Sequence, residues 1–321
     1  GRPAPDRLIP RGKMPRLRGL RNMKILLINQ TFHPDVVATA QHLTDLALEL
    51  VKTGHEVTVL TSRRSYLDPS VLFSKTEIFQ GVRIQRVKAL SFGRSNRLSR
   101  ILDALFMNLA FAWVLLWLPR FDKCIALTSP PLVGLIALLF AKLRRSEFIY
   151  WVMDLNPDQS IEAGWIRKNS FLARVLEQGL RVAIKNSKTV IALDTFMKDR
   201  LILKGGDPEK IKVCPPWPLE SDLETVPHQA NPFRASAQLG GKFVVMYSGN
   251  LSICHPLDTL LQAAYQLRNE QDIVFVFIGG GERVGEVLDF KDKHRLANIL
   301  YFPYQKRADL QYSLSAADLH I

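Results

Sequence analysis

Phe243-Val244-Val245-Met246-Tyr247-Ser248-Gly249-Asn250 and Ile273-Val274-Phe275-Val276-Phe277-Ile278-Gly279-Gly280-Gly281-Glu282 decide the fold of this 321-residue chain. Each is an apolar run of strand length that reaches small residues, and each precedes a helical pattern; after the first it runs Pro256-Leu257-Asp258-Thr259-Leu260-Leu261. Strand, small-residue turn and helix in repetition predict parallel strands with crossover helices. Turns at the carboxyl ends of such strands open backbone N–H groups and a helix N-terminus toward an anion above the sheet. Two of them side by side predict a diphosphate-bearing ligand held by Ser248, Gly249, Asn250, Gly279, Gly280, Gly281 and Glu282. Gly285 falls one place late for a G-x-G-x-x-G fingerprint, which weakens a dinucleotide reading.

The same alternation runs through the first two thirds of the chain. Ile25–Ile28 reads as a buried strand, Leu43, Leu46, Ala47 and Leu50 as one face of a helix, and Val57–Leu60 as the next strand. Val82–Val87, Cys124–Leu127, Phe148–Val152, Val190–Leu193 and Ile211–Val213 follow, with an apolar helix over Leu132–Leu143. The expected fold is α/β, with two Rossmann-like, doubly wound parallel-sheet domains. Cys214-Pro215-Pro216-Trp217-Pro218 interrupts regular structure. The expected division is a basic, disordered extension over 1–22, a first domain over 23–218, a linker over 219–241 and a second domain over 242–321. Because a doubly wound domain usually has five or six strands, the second is expected to be incomplete and this chain alone inactive.

The net charge is +13, and seven of those charges fall within residues 1–24, where eight basic residues face Asp6 alone. That stretch lacks the apolar core of a signal peptide. No aromatic residue interleaves with its arginines, which argues against nucleic-acid binding; Met14 and Met23 are candidate initiators. Three widely spaced cysteines, Cys124, Cys214 and Cys254, point to buried thiols in a reducing cytosol. Seven histidines without ligand spacing, and no Asp-x-Asp pair, predict neither a metal site nor a cofactor.

Ile101–Leu118 is almost wholly apolar, with Asp103 and Asn108 its polar residues. Arg83, Arg86, Lys88, Arg94, Arg97 and Arg100 precede it without an acid between Gly81 and Leu102, and Trp113 and Trp117 sit near its far end. It is long enough to span a bilayer, but spanning would remove a crossover helix from its sheet. Two readings remain: a buried crossover helix, or a helix docking at an anionic membrane surface through Trp113, Trp117 and the basic flank Arg94, Arg97 and Arg100.

Together, Phe32-His33-Pro34-Asp35, Gly54-His55-Glu56-Val57-Thr58-Val59, Thr128-Ser129-Pro130-Pro131, Asp154-Leu155-Asn156-Pro157-Asp158, Ser248-Gly249-Asn250 with His255-Pro256-Leu257-Asp258, Gly279-Gly280-Gly281-Glu282 and Ala316-Ala317-Asp318 resemble a GT-B glycosyltransferase. The resemblance covers about residues 23–321 and is nearest to the GT4 group of bacterial surface-polysaccharide biosynthesis. It implies a retaining, metal-independent transfer of sugar from a nucleotide-sugar donor, a substrate rather than a cofactor. The acceptor would be a polyprenyl-linked or other saccharide at the inner face of the plasma membrane, with the enzyme cytoplasmic and peripheral. It also implies a nucleobase held near Tyr304 and Gln305. An Arg and a Lys gripping the diphosphate are part of the family pattern, yet Ser252–Leu267 contains neither. A nucleotide-sugar 2-epimerase of the same fold and a non-catalytic membrane-associated scaffold are the alternatives.

Asp154 follows a parallel strand, where open α/β sheets bind ligands. Its carboxylate could stabilise an oxocarbenium-like state or orient an acceptor hydroxyl; a helix N-cap is the structural alternative. His255 could reach a phosphate or sugar, or simply lead into a helix with Pro256 in its first turn. His33, Pro34 and Asp35, on the first loop of the first domain, suit an acceptor or donor-phosphate contact, or a plain turn.

Overall fold

The computed structural model describes residues 22–35, 37–66, 68, 70–90, 92, 97–217, 223–253 and 255–321. Its contacts divide the chain into two compact units between Leu219 and Glu220.

The first unit contains β1 (Lys24–Ile28), α1 (Ala38–Lys52), β2 (Glu56–Ser62), β3 (Thr76–Phe79), β4 (Val82–Val87), α2 (Arg97–Trp117), β5 (Lys123–Ala126), α3 (Val133–Arg144), β6 (Glu147–Trp151), α4 (Asp158–Glu162), α5 (Phe171–Asn186), β7 (Thr189–Ala192), α6 (Thr195–Leu203) and β8 (Ile211–Val213). They form one eight-stranded sheet in the order β3-β4-β2-β1-β5-β6-β7-β8. All neighbours are parallel except β3, which returns against β4 through Gln80-Gly81. Alternate residues of β1 enter different cores, as a sheet buried on both faces requires. Leu26 and Ile28 meet Phe111, Ala137, Leu180 and Leu201 of α2, α3, α5 and α6. Ile25 and Leu27 meet Leu43 and Ala47 of α1.

The second unit contains α7 (Pro232–Ser236), β9 (Phe243–Asn250), α8 (Asp258–Gln266), β10 (Ile273–Gly280), α9 (Val284–His294), β11 (Ile299–Phe302), α10 (Leu310–Leu314) and β12 (Leu319–His320). Its parallel sheet runs β11-β10-β9-β12. Leu261, Ala264 and Val287 of α8 and α9 cover one face; Leu239 and Ala316, with Phe233, cover the other.

Three sequence expectations change here. Much of the stretch 219–241 is not a linker. Asn231 Oδ1 accepts from the Phe233 and Arg234 N–H groups and starts α7, with Pro232 in the first turn. Arg234, 5% exposed, then donates to the carbonyls of Leu239, Lys242 and Ala316 and to Asp318. Residues 231–242 are therefore part of the second unit. Second, β9 and β10 do not stop at Tyr247 and Ile278: they pair over eight residues, ending with Gly279 opposite Gly249 and Gly280 opposite Asn250. Third, Cys214 is exposed, whereas Cys124 is buried as expected; Cys254 and the extension 1–21 lie outside the described residues.

Candidate functional site

In the first unit, chemistry gathers where β5 and β6 leave the sheet. Their register, Ala126 beside Tyr150, brings Thr128 next to the residues that follow Trp151. The Asp154 N–H donates to Thr128 Oγ1 at 3.2 Å, and the Gln159 side chain bonds the carboxyl group. Burial, the dominant influence, raises the Asp154 carboxyl above the usual aspartate range, with the Gln159 bond opposing it. Tyr150 is buried alongside; burial first, and the Asp154 charge second, push its hydroxyl up. Thr128, Tyr150, Asp154 and Asn156 share a cavity of about 20 Å³ with Leu132, Leu135 of α3, and Leu176 and Leu180 of α5, room for one water. Gly134 of α3 leaves space for the Tyr150 ring, which lies 2.8 Å from where a Cβ would stand.

Asp154 does not cap a helix. α4 begins only at Asp158, after Pro157, without a side-chain cap. Asn156 Oδ1 accepts from Ser160 Oγ at 2.6 Å. Asp158 anchors this segment, binding Arg200 of α6 and Lys204 just past its end at 2.7 Å each, while Lys204 also reaches Glu177 of α5 at 2.7 Å. Burial works against ionising Asp158, but the bonds from Lys204 and Arg200 outweigh it and hold its pKa low. Sequence reasoning did not single out Thr128 as a contact of Asp154, nor Tyr150 or Gln159; the position of Thr128 just past an adjacent parallel strand was the available signal.

The first loop is engaged structurally. His33 stacks on Phe79 at 3.8 Å between ring centroids, and its carbonyl accepts from Arg86 at 2.8 Å. Burial lowers the His33 pKa, Glu77 opposing and Arg86 assisting. Pro34 is exposed. Asp35 is buried and accepts from Ser65 Oγ at 2.9 Å and the Tyr66 N–H at 3.0 Å, so its carboxylate pins a neighbouring loop instead of standing open. α1 starts at Ala38, so Asp35 does not cap it either.

In the second unit, Ser248, Gly249, Asn250, Gly279 and Gly280 are strand residues, not the turns expected from their sequence. A Cβ on Gly279, at φ +143°, would lie 1.8 Å from the Gly249 carbonyl oxygen. One on Gly281, at φ +133°, would meet Asn250 Oδ1 and the Leu251 carbonyl oxygen at 2.5 Å. The glycines are thus required by the approach of two main chains. The Leu251 N–H donates to the Gly280 carbonyl and the Arg283 N–H to the Leu251 carbonyl, joining the two loops. Tyr247 Oη lies 2.7 Å from His255 Nδ1 and donates to the Asn250 carbonyl at 2.8 Å. Arg283, which sequence reasoning passed over, donates to the His255 carbonyl at 2.8 Å and pairs with Glu286 and Asp258. It touches the first loop of this unit but is engaged by two carboxylates; Arg268 lies over the Tyr265 ring. Tyr304 is exposed, its ring against Gly280; Gln305 is held by the Pro303 carbonyl, and Glu282 is exposed. Among the described residues, no three His, Cys, Asp or Glu side chains converge in a metal-ligating group.

α2 joins the first unit as a sheet-covering helix. Met107, Phe111 and Leu115 are buried against the sheet. Drawing the helix into a bilayer would uncover Leu26, Ile28 and Val87 of the sheet, at a cost of roughly 1.5–3 kcal/mol for each large apolar side chain left in water. Trp113 and Trp117 point away, 63% and 74% exposed. Arg86 is no part of a basic surface: its side chain is fully buried and pairs with Glu77 at 2.7 Å. Arg94 and the side chain of Arg97 lie outside the described residues; Arg100 is exposed and lies over the Trp165 ring at 5.2 Å.

Residues 5–217 match the glycosyl transferase 4-like domain, about two thirds of the chain. The chain belongs to that family. Within it, the "Probable glycosyltransferase WbjE" of Pseudomonas aeruginosa is 26% identical over 239 residues, 72% of this chain and 59% of that protein. WcaI of Escherichia coli K12, a glycosyl transferase by name in colanic acid biosynthesis, is 23% identical over 319 residues, 93% of this chain and 76% of its own length. The match to WbjE thus spans less than two thirds of that relative. Among solved structures, Anabaena HepE in complex with UDP and glucose superposes with a TM-score of 0.62 at 17% identity, covering 93% of this chain and 73% of that one. A UDP-N-acetylglucosamine 2-epimerase superposes less well, at 0.54 and 11% identity over 94% of this chain and 74% of its own. At these identities the superpositions bear on the fold, and they agree with paired Rossmann-like units of GT-B type.

Proposed function

We propose that this chain carries the catalytic acidic group and donor-domain elements of a retaining, metal-independent glycosyltransferase. It would move a sugar from a nucleotide-sugar donor to a lipid-linked or polysaccharide acceptor at the inner face of the plasma membrane. The observation that carries the reading is Asp154: a carboxyl group partly buried at the carboxyl edge of β6, beside Thr128 and a cavity large enough for one oxygen-bearing group, in a chain of this family. Its carboxyl group, raised by burial above the usual aspartate range, is suited to orienting an acceptor hydroxyl or stabilising an oxocarbenium-like state. Thr128 fixes the Asp154 backbone, and Gln159 orients the carboxyl group. Loops at the carboxyl ends of β9 and β10, with His255 and Tyr304, are where the donor would bind.

The test is nucleoside diphosphate release by the full-length protein with a panel of nucleotide sugars, with and without acceptor. Release should require acceptor and survive EDTA. Asp154→Asn should lower turnover by about 100-fold or more. Unchanged turnover in that variant would remove Asp154 from the mechanism, and sugar epimerised without acceptor would replace transfer with epimerisation.

A further inference from the structure

Helices α2 and α3 have apolar faces directed away from the core as well as toward it. On α2, Leu105, Leu109, Trp113 and Trp117 recur every four residues, and on α3 Leu139 and Leu143 continue the pattern; all six are at least half exposed. Residues four apart share one helix face, so each set is a stripe. The two stripes lie side by side, because α2 packs on α3 and Arg144 Nη2 donates to the Leu116 carbonyl at 2.8 Å. Trp113 and Trp117 meet edge to face at 5.9 Å between centroids, an amphipathic pair of the kind enriched at membrane–water interfaces.

The two helices and their ends are predominantly basic. From Arg97 to Arg120 and from Val133 to Ser146 there are six basic residues, Arg97, Arg100, Arg120, Lys142, Arg144 and Arg145, and one acid, Asp103. Asp103 accepts from the Phe92 N–H. A second protein would need a matching apolar and acidic surface, whereas a bilayer with anionic headgroups supplies both properties at once. α2 is also of membrane scale: 20 residues from Leu98 to Trp117 extend about 30 Å at 1.5 Å per residue.

We propose that the α2–α3 face seats the chain on an anionic lipid surface, with α2 lying in the plane of the interface. Gly134 and Leu135 of α3 line the cavity at Asp154. A seated α3 thus places that cavity within about one helix diameter, ~10 Å, of the headgroups. An acceptor anchored in the bilayer then presents its polar head to Asp154 without leaving the membrane. This last step rests on the transferase reading above; the seating itself does not.

The experiment is sedimentation of the chain with phosphatidylcholine vesicles, with and without phosphatidylglycerol. The chain should bind the anionic vesicles and release at high salt. Trp113→Ser/Trp117→Ser, both exposed positions, should weaken binding on the order of tenfold, and Arg120→Gln/Arg145→Gln by about tenfold or more. Circular dichroism should be unchanged in both. Wild-type indifference to phosphatidylglycerol, or a tryptophan variant that binds as wild type does, would overturn the proposal. So would a dimer in size-exclusion chromatography that the tryptophan variant dissolves without altering vesicle binding, since the face would then belong to a second copy. Turnover on a soluble acceptor separates the two readings. A tryptophan variant that works on soluble acceptor and fails on bilayer-embedded acceptor supports the route to Asp154; a tryptophan variant that loses vesicle binding yet turns over both acceptors equally would remove that route and leave the seat in place.

Discussion

The carboxyl ends of the two sheets are built from the same strand–loop–helix unit, and they differ in where they put their polarity. At β5 and β6 it resides in side chains: Asp154 is partly buried beside Thr128 and Tyr150, its carboxyl raised by desolvation. At β9 and β10 it resides in bare main chain: Gly279 and Gly281 let two strands and their loops approach more closely than a Cβ permits. Close packing at the second edge serves the fold, and the buried acid at the first works against it whenever it ionises. A residue at one edge is therefore replaced at the expense of stability, and at the other to its benefit.

Three substitutions test this contrast. Gly279→Ala has the largest expected effect on stability, because it combines a positive φ with a Cβ 1.8 Å from the Gly249 oxygen. It should destabilise the second unit by about 3 kcal/mol or more, measured by urea unfolding. A near-neutral result would mean that the glycines serve a ligand and not the fold. Asp154→Asn should show the opposite sign. A raised folded-state pKa means that the native chain keeps a proton which the unfolded chain has released. The stability this contributes is complete below the unfolded aspartate range and is lost as pH rises through the raised value. The asparagine variant cannot ionise, so its melting temperature should match wild type in acid and exceed it increasingly as pH rises through that window. Melting curves across a pH series read this, and a variant less stable at every pH would make Asp154 a structural acid. Gly285→Ala should have the smallest effect. Gly285 is exposed on α9, with nothing within 4 Å of where a Cβ would stand, so the change should stabilise by about 0.5–1 kcal/mol.

Much of the fold was legible in the order of residues. Ile25–Ile28, Val57–Leu60 and Phe148–Val152 were strands as their apolar runs predicted, since strands buried on both faces leave little choice of residue. The strand Thr76–Phe79 was not anticipated. It is a short edge with alternate exposure, and its signal lay in the Gln80-Gly81 turn, where both residues have positive φ. The turns expected at Ser248–Asn250 and Gly279–Gly280 were strand ends, because ladder pairing overrode the local preference of glycine. At the candidate site, Asp154 was legible as an acid following a strand, and Thr128 was visible as part of a motif without its partner. Arg86 looked like one member of a basic flank and is buried, bound to Glu77 and the His33 carbonyl.

The apolar helix from Leu98 to Trp117 shows where sequence stops and tertiary structure begins. Its composition already required that the helix avoid water, because nearly every side chain is apolar. Which residues face the sheet could not be settled from that composition, since every face of such a helix qualifies for burial. Packing against β1, β4 and α3 chose Met107, Phe111 and Leu115 and left Trp113 and Trp117 outside, beside a stripe on α3 that is distant in sequence. The sequence by itself determined the alternation of strands and helices and the family, because hydrophobic period and motif order are local properties. Only the tertiary structure decided which glycines serve the backbone, which acid is buried, and which apolar face remains exposed, because each depends on what neighbouring elements bring within a few ångströms.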